Sequence, residues 1–331
     1  MGTTVYFATN RVVQNNDRTN VQSYGAEILS PSDASQVLYA VGDVEGIDLG
    51  VENSGRIEAL HDFNEGGFSK EAIAPILSAN KDLLIFIHGF ANSFDTAIRR
   101  AAFNREWFAA GGEDLSVVAF TWPSIGAFFA VPPHFLADDY KDDQGQAGRS
   151  GLHIASFLKN VQGLLGECRK VRPNARAILL AHSMGNYALQ ASVQSWFDHS
   201  YPEGQLFDAA VLAAADERYD SFEFSFPDRL TGLSKLTPNI AIYYSEKDVA
   251  MYLSLAVNFI SRLGMDGPKD KASGVIYPAT EFRFVDCAEV GDYNLIIPPD
   301  ASHQYYRRSP KVRADIIQVM TGHASGGSVS L

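Results

Sequence analysis

The sequence predicts an α/β protein: a mostly parallel central sheet with helices on both faces. Two observations predict it. From about residue 80 onward, short apolar runs rich in β-branched residues carry no polar alternation, as strands buried on both faces do. Each run is followed by a longer segment with apolar residues at helical spacing, the order of a repeated strand–helix unit.

The elements follow in order. Val5–Thr9 and Gln36–Gly46 alternate more than the later runs, and residues 14–35 between them are polar. They are expected as antiparallel edge strands of the same sheet. Leu83–Ile87 reads as a buried strand, Phe94 to about Ala110 as a helix, and Ser116–Trp122 as the next strand. Gly151–Arg169 carries Leu152, Ala155, Phe157, Leu158, Val161, Leu164 and Leu165 along one side and reads as a helix. Ala177–His182, Ala209–Ala215, Asn239–Ser245 and Glu281–Cys287 read as further strands. Tyr187–Phe197, Val249–Arg262 and Val312–Met320 read as helices, the last with Ser309 as N-cap and Pro310 at its first position. One domain is expected over residues 1–320. Residues 321–331, small and polar, are expected as a flexible tail.

Two segments break the alternation. Residues 123–147 hold prolines, clustered aromatics and a run of Asp; residues 217–236 hold several Phe and Asp. Both leave the C-terminal ends of predicted strands, where open parallel sheets bind ligands. They are expected as lid-like insertions.

The 331 residues carry a formal net charge of −12. Nucleic acid and anionic membrane surfaces are poor partners for such a chain, because phosphate binding needs clustered Lys and Arg. The cysteines, Cys168 and Cys287, cannot make a metal site alone and are expected as separate buried thiols. The opening MGTTVYFATNRVV lacks the basic and apolar regions of a signal peptide, and no run approaches the ~20 apolar residues of a membrane span. A cytoplasmic protein is expected. Neither a G-x-G-x-x-G nor a P-loop follows the first strands, which argues against dinucleotide and kinase chemistry.

The most informative residues are Ala181-His182-Ser183-Met184-Gly185, at the junction of a predicted strand and helix. A serine on so sharp a turn has its hydroxyl pushed out at the top of the sheet, and its neighbours must be small. The pattern is G-x-S-x-G with Ala181 in place of the first glycine. A helix N-cap serine would need only a hydroxyl at this place. Ser183 is the candidate nucleophile. Ile87-His88-Gly89-Phe90 follows an earlier strand, where such folds supply one backbone N–H to an oxyanion. Phe90 is the candidate donor there, and Met184, after the nucleophile, is the other. His88 is expected as a structural residue of the loop.

A hydroxyl nucleophile needs a base, near neutral pH usually histidine. The order Ser, acid, His selects His303 among the eight histidines, because it lies between the last strand and the last helix. The acid should leave an earlier strand end. Asp248 and Asp216 both do; Asp248 is favoured and Asp216 stays open, with Glu246 a weaker third. The acid would fix the imidazole tautomer without taking the proton.

These residues resemble the DUF900-type α/β hydrolases, a bacterial family. The resemblance rests on Tyr6-Phe7-Ala8-Thr9-Asn10-Arg11, Ile87-His88-Gly89-Phe90, Phe120-Thr121-Trp122-Pro123, Ala181-His182-Ser183-Met184-Gly185-Asn186 and Ser302-His303. It implies the α/β-hydrolase fold and a triad on the matching Ser183, Asp248 and His303. It implies no substrate. The stretch from Phe128 to Asp143 is outside the resemblance. Without metal or cofactor, the expected reaction is hydrolysis of a small-molecule carboxylic ester with a short or medium acyl or an aryl group. Phe128, Phe129, Phe135 and Tyr140 are expected to roof the pocket, with Trp122 and Phe222 near it. Amide, carbamate or thioester hydrolysis, acyl transfer on the same triad, and a non-catalytic binding module are the alternatives. The last would bury or misalign Ser183.

Overall fold

A computed structural model describes residues 2–62, 66–68, 70–124, 133–202, 204–290 and 301–331, with 133–136 and 301 described by backbone alone. The chain forms two compact units, residues 1–177 and 178–331.

In the first unit, β1 (Thr3–Thr9), β4 (Leu38–Glu45), β5 (Arg56–Asp62), β6 (Asp82–Ile87) and β7 (Leu115–Thr121) lie in the order β6-β7-β1-β4-β5. β6, β7 and β1 are parallel, while β4 runs antiparallel to both β1 and β5. β1 is therefore an inner strand with both neighbours paired, not the edge strand expected. Its residues from Val5 to Thr9 are all buried, which the outward polar positions of an edge would not be. β2 (Arg11–Val13) and β3 (Tyr24–Ile28) form a separate antiparallel pair. The helices are α1 (Lys70–Ala79), α2 (Phe94–Ala109), α3 (Pro133–Arg149) and α4 (Gly151–Val171). Ser93 caps α2, its hydroxyl accepting from the Thr96 N–H.

The second unit is parallel throughout, in the order β8 (Ala177–His182), β9 (Ala209–Ala213), β10 (Ile240–Tyr244), β11 (Phe282–Asp286) and β12 (Gly327–Ser330). β8, β9 and β10 are buried at every residue, as their unbroken apolar sequences require. α5 (Gly185–Asp198), α6 (Val249–Asn258), α7 (Leu263–Asp266) and α8 (Pro310–Met320) accompany them. α8 starts as expected, with Ser309 accepting from the Val312 N–H. α6 stops early, at Phe259, which takes the left-handed conformation (φ 56°). Residues 327–330, expected as part of a flexible tail, pair with β11 as β12. Gly326 permits the approach, since a Cβ there would stand 1.7 Å from the Ala279 carbonyl oxygen.

This is the α/β-hydrolase class of architecture, mostly parallel strands accompanied by helices. No helix among the described residues is long and apolar enough to cross a membrane. Both cysteines are buried thiols outside any disulfide.

Candidate active site

β8 ends at His182, and α5 begins at Gly185. Ser183 between them has φ 54°, a left-handed conformation that costs a residue with a side chain about 1–2 kcal/mol. The surrounding bonds hold it there. The Ser183 N–H donates to the Ala213 carbonyl (3.0 Å), and the Ser183 carbonyl accepts from the N–H groups of Asn186 (2.9 Å) and Asp216 (3.1 Å). Asn186 Nδ2 adds bonds to the carbonyls of Ala181 (3.0 Å) and Ser183 (3.2 Å). Ala181 and Met184 are fully buried, and Ser183 is 5% exposed. Met184 is the N-cap of α5, so its N–H belongs to the set that a helix start leaves without intrahelical partners.

His303 ends a short 3-10 turn, and its Nδ1 is 2.6 Å from Asp248 Oδ2. The other oxygen of Asp248, Oδ1, caps α6, accepting from the N–H groups of Ala250 (3.0 Å) and Met251 (3.3 Å). Ser302 Oγ accepts from the Val249 N–H at 3.0 Å, tying the histidine turn to the same helix start. The Tyr305 hydroxyl donates to the Tyr243 carbonyl (2.8 Å), fixing the chain beyond it. The rings of His182 and His303 lie 4.6 Å apart, and His182 Nε2 is 3.3 Å from the His303 carbonyl oxygen. His303 is thus held against the residue that precedes Ser183. Among the described residues no hydrogen bond joins Ser183 Oγ to the His303 ring; such bonds tighten when substrate arrives.

Asp216 stands elsewhere. Its Oδ1 accepts from Arg262 Nε (2.9 Å) and from Ser254 Oγ, and Arg262 Nη2 is 2.8 Å from the same oxygen. Both members of this ion pair are 2% exposed. The structure therefore gives Asp248, not Asp216, to His303. Glu246 is exposed.

The loop after β6 is fixed by side chains from several elements. His88 Nδ1 faces the Gly89 carbonyl (2.9 Å), and its Nε2 accepts from the Trp122 N–H (3.2 Å). The imidazole stacks on the Trp122 indole at 4.9 Å, and Trp122 Nε1 donates to the His88 carbonyl (2.8 Å). Burial, aided by the Arg11 charge, pulls His88 down to about 3, so it is a neutral structural residue. Asn92 Nδ2 donates to the carbonyls of Gly89 (2.9 Å) and Phe90 (2.7 Å). Ala91 adopts φ 57°.

A family model described as an alpha/beta hydrolase of unknown function, DUF900, matches residues 68–321. The chain belongs to this family. No curated protein matches it. Among solved structures, the lin2722 gene product of Listeria innocua is similar at 10% identity, with a TM-score of 0.36 over 76% of this chain and 98% of that one. The esterase LipA of Xanthomonas oryzae, described as rice cell wall degrading, gives 10% identity and a TM-score of 0.26 over 94% and 79%. The acylaminoacyl peptidase of Pyrococcus horikoshii gives 9% and 0.26 over 89% and 43%.

The residues expected around the pocket of this DUF900 member lie as follows. Trp122 is fully buried against His88, and Phe222 packs on Tyr277 and Phe282. Tyr140 is also buried, 5.7 Å from the Phe90 ring centre. Phe128 and Phe129 lie outside the described residues, as does the Phe135 side chain. Within residues 217–236, Leu230, Leu233 and Leu236 are fully buried, while Phe224 and Phe226 are exposed. Glu217 is buried too, accepting from the Arg218 N–H and Ser221 Oγ, each at 2.8 Å. Burial raises its carboxyl pKa against the pull of Arg262. Backbone bonds from Leu263 to Glu217 (2.7 Å) and from Gly264 to Ala215 (2.8 Å) tie this segment down. A Cβ on Gly264 would lie 2.2 Å from the Ala215 nitrogen. No group of three or more His, Cys, Asp or Glu among the described residues could hold a metal ion.

Proposed function

We propose that this DUF900 member is a serine hydrolase that cleaves small-molecule carboxylic esters through Ser183, His303 and Asp248. One observation carries the reading: His303 presents Nδ1 to a fully buried carboxylate at 2.6 Å while packing against the residue before a left-handed serine. With Nδ1–H kept on Asp248 Oδ2, Nε2 is the basic nitrogen. Ser183 Oγ attacks the acyl carbon and its proton passes to Nε2. The oxyanion is received by the N–H of Met184 and, from its place in the chain order, that of Phe90. The carbonyl re-forms, the ester C–O bond breaks, and Nε2–H protonates the departing oxygen. Water, deprotonated by the same nitrogen, then releases the acid and restores Ser183. The acyl group is assigned as short, medium or aryl.

A second reading, a binding module with an inert triad, draws on the 5% exposure of Ser183 and its missing bond to His303. One experiment separates the two. Wild type and Ser183→Ala are assayed on p-nitrophenyl esters from acetate to octanoate, and both are treated with a fluorophosphonate. Turnover and labelling that vanish in Ser183→Ala support the hydrolase, and the chain-length optimum sizes the acyl site. An unlabelled, inactive wild type supports the module. Amide, thioester and acceptor-alcohol substrates in the same assay test the neighbouring acyl chemistries.

A further inference from the structure

The Asp-rich stretch that the resemblance leaves unexplained lies on α3, and its aspartates divide by environment. Asp138 and Asp142 are exposed, while Asp143 is fully buried. Tyr140, Asp143 and Ala147 form one buried stripe at helical spacing. A carboxylate within such a stripe is costly unless its oxygens are used.

Oδ2 is used on the loop after β6. Asp143 Oδ2 accepts from Ser124 Oγ and, at 3.4 Å, from the Ala91 N–H. The Ser124 hydroxyl in turn accepts from the Asn92 N–H at 3.1 Å. One helical turn earlier, the Tyr140 ring packs on the Phe90 ring. From the far end of the loop, the buried Arg11 donates through Nη2 to the Asn92 carbonyl (2.9 Å) and through Nε to Thr121 Oγ1 (2.9 Å). The residue in the middle, Ala91, holds the left-handed φ that such outside bonds must maintain.

We infer that Asp143 is a positioning residue for the oxyanion loop: through Ser124 and the N–H groups of Ala91 and Asn92 it fixes the two peptide planes that follow Phe90, and so holds in place Asn92, whose Nδ2 bonds the Gly89 carbonyl of the plane from which Phe90 donates. This deepens the reading above and rests on it for its catalytic half. The loop-holding half stands on the bonds themselves.

Two measurements on the full chain test the halves separately. Amide exchange at residues 90–92 is followed in wild type, Asp143→Ala, Ser124→Ala and Asp143→Asn. Asp143→Ala and Ser124→Ala are expected to exchange faster by about tenfold or more at Ala91 and Asn92, with Asp143→Asn close to wild type because it keeps an acceptor oxygen. Unchanged exchange in a folded Asp143→Ala or Ser124→Ala protein would overturn the proposal, whatever the enzyme's activity. On the best p-nitrophenyl ester, kcat is expected to fall by roughly 10- to 100-fold in Asp143→Ala, less than the ~10²–10³ for a donor lost outright. KM should change little. Inhibition by a trifluoromethyl ketone, whose adduct carries the oxyanion, should weaken by the same factor, and Asp143→Asn should recover most of both. Faster exchange with kcat and inhibitor affinity unchanged would overturn the catalytic half. If Ser183 proves unreactive in wild type, the hydrolase reading fails and amide exchange alone decides for or against Asp143.

Discussion

Asp248 divides its carboxylate between two partners: Oδ2 lies 2.6 Å from His303 Nδ1, while Oδ1 caps α6 through the N–H groups of Ala250 and Met251. The two roles come apart by substitution. Asp248→Asn keeps an oxygen for the cap but can present its amide to Nδ1, favouring the wrong tautomer. Its melting temperature should stay near wild type while kcat falls on the order of 10⁴-fold. Asp248→Ala should lose activity as well and also about 1 kcal/mol of stability with the cap. Parallel thermal melts and ester assays check both.

The left-handed Ser183 carries a stability cost that glycine would remove. Ser183→Gly should be more stable than Ser183→Ala by roughly 1 kcal/mol, both being inactive. Urea unfolding of the two variants measures the difference; equal midpoints would mean that the turn relaxes freely.

Acid should weaken the protein through His88. Its unfolded imidazole takes a proton near pH ~6.5, whereas the folded one does so only at about 3. Between those values the unfolded chain binds more protons, so stability falls as pH falls, with a slope approaching about 1.4 kcal/mol per pH unit. Burial shifts His153 in the same direction. Melts of wild type and His88→Gln from pH 7 to 4.5 isolate the His88 share, and the variant should show the shallower slope.

The Asp216–Arg262 pair should behave as a structural pair. Asp216→Ala leaves Arg262 buried without its carboxylate and should cost ~3–5 kcal/mol. Combining it with Arg262→Met should restore much of that loss. A double-mutant cycle in urea gives the coupling directly.

Much of this was legible in the residues, and the rest was not for identifiable reasons. The β8 run and the small residues at 181 and 185 place Ser183 on its turn from local pattern alone. His303 follows from chain order. The choice between Asp248 and Asp216 is not local: both follow buried strands, and what separates them is Arg262, 46 residues from Asp216. α3 escaped because its glycines and aspartates mask a short stripe in which one member, Asp143, is itself charged. Arg11 gave no sign of burial, since only the bonds to Thr121 and Asn92 make a buried guanidinium tolerable. β5 and β12 are strands by pairing rather than by composition; neither Arg56–Asp62 nor Gly327–Ser330 has the apolar run that marks the inner strands.

The shared carboxylate of Asp248 has a consequence for how this site can be inherited. The helix that Asp248 starts also carries Ser254, which bonds Asp216, whose N–H in turn holds the Ser183 carbonyl. Acid, helix and turn are thereby links of one chain. A recombination that imported the 245–262 segment from a relative would have to bring compatible residues at 248, 254 and 262 together, so these positions should change as a block and seldom one at a time.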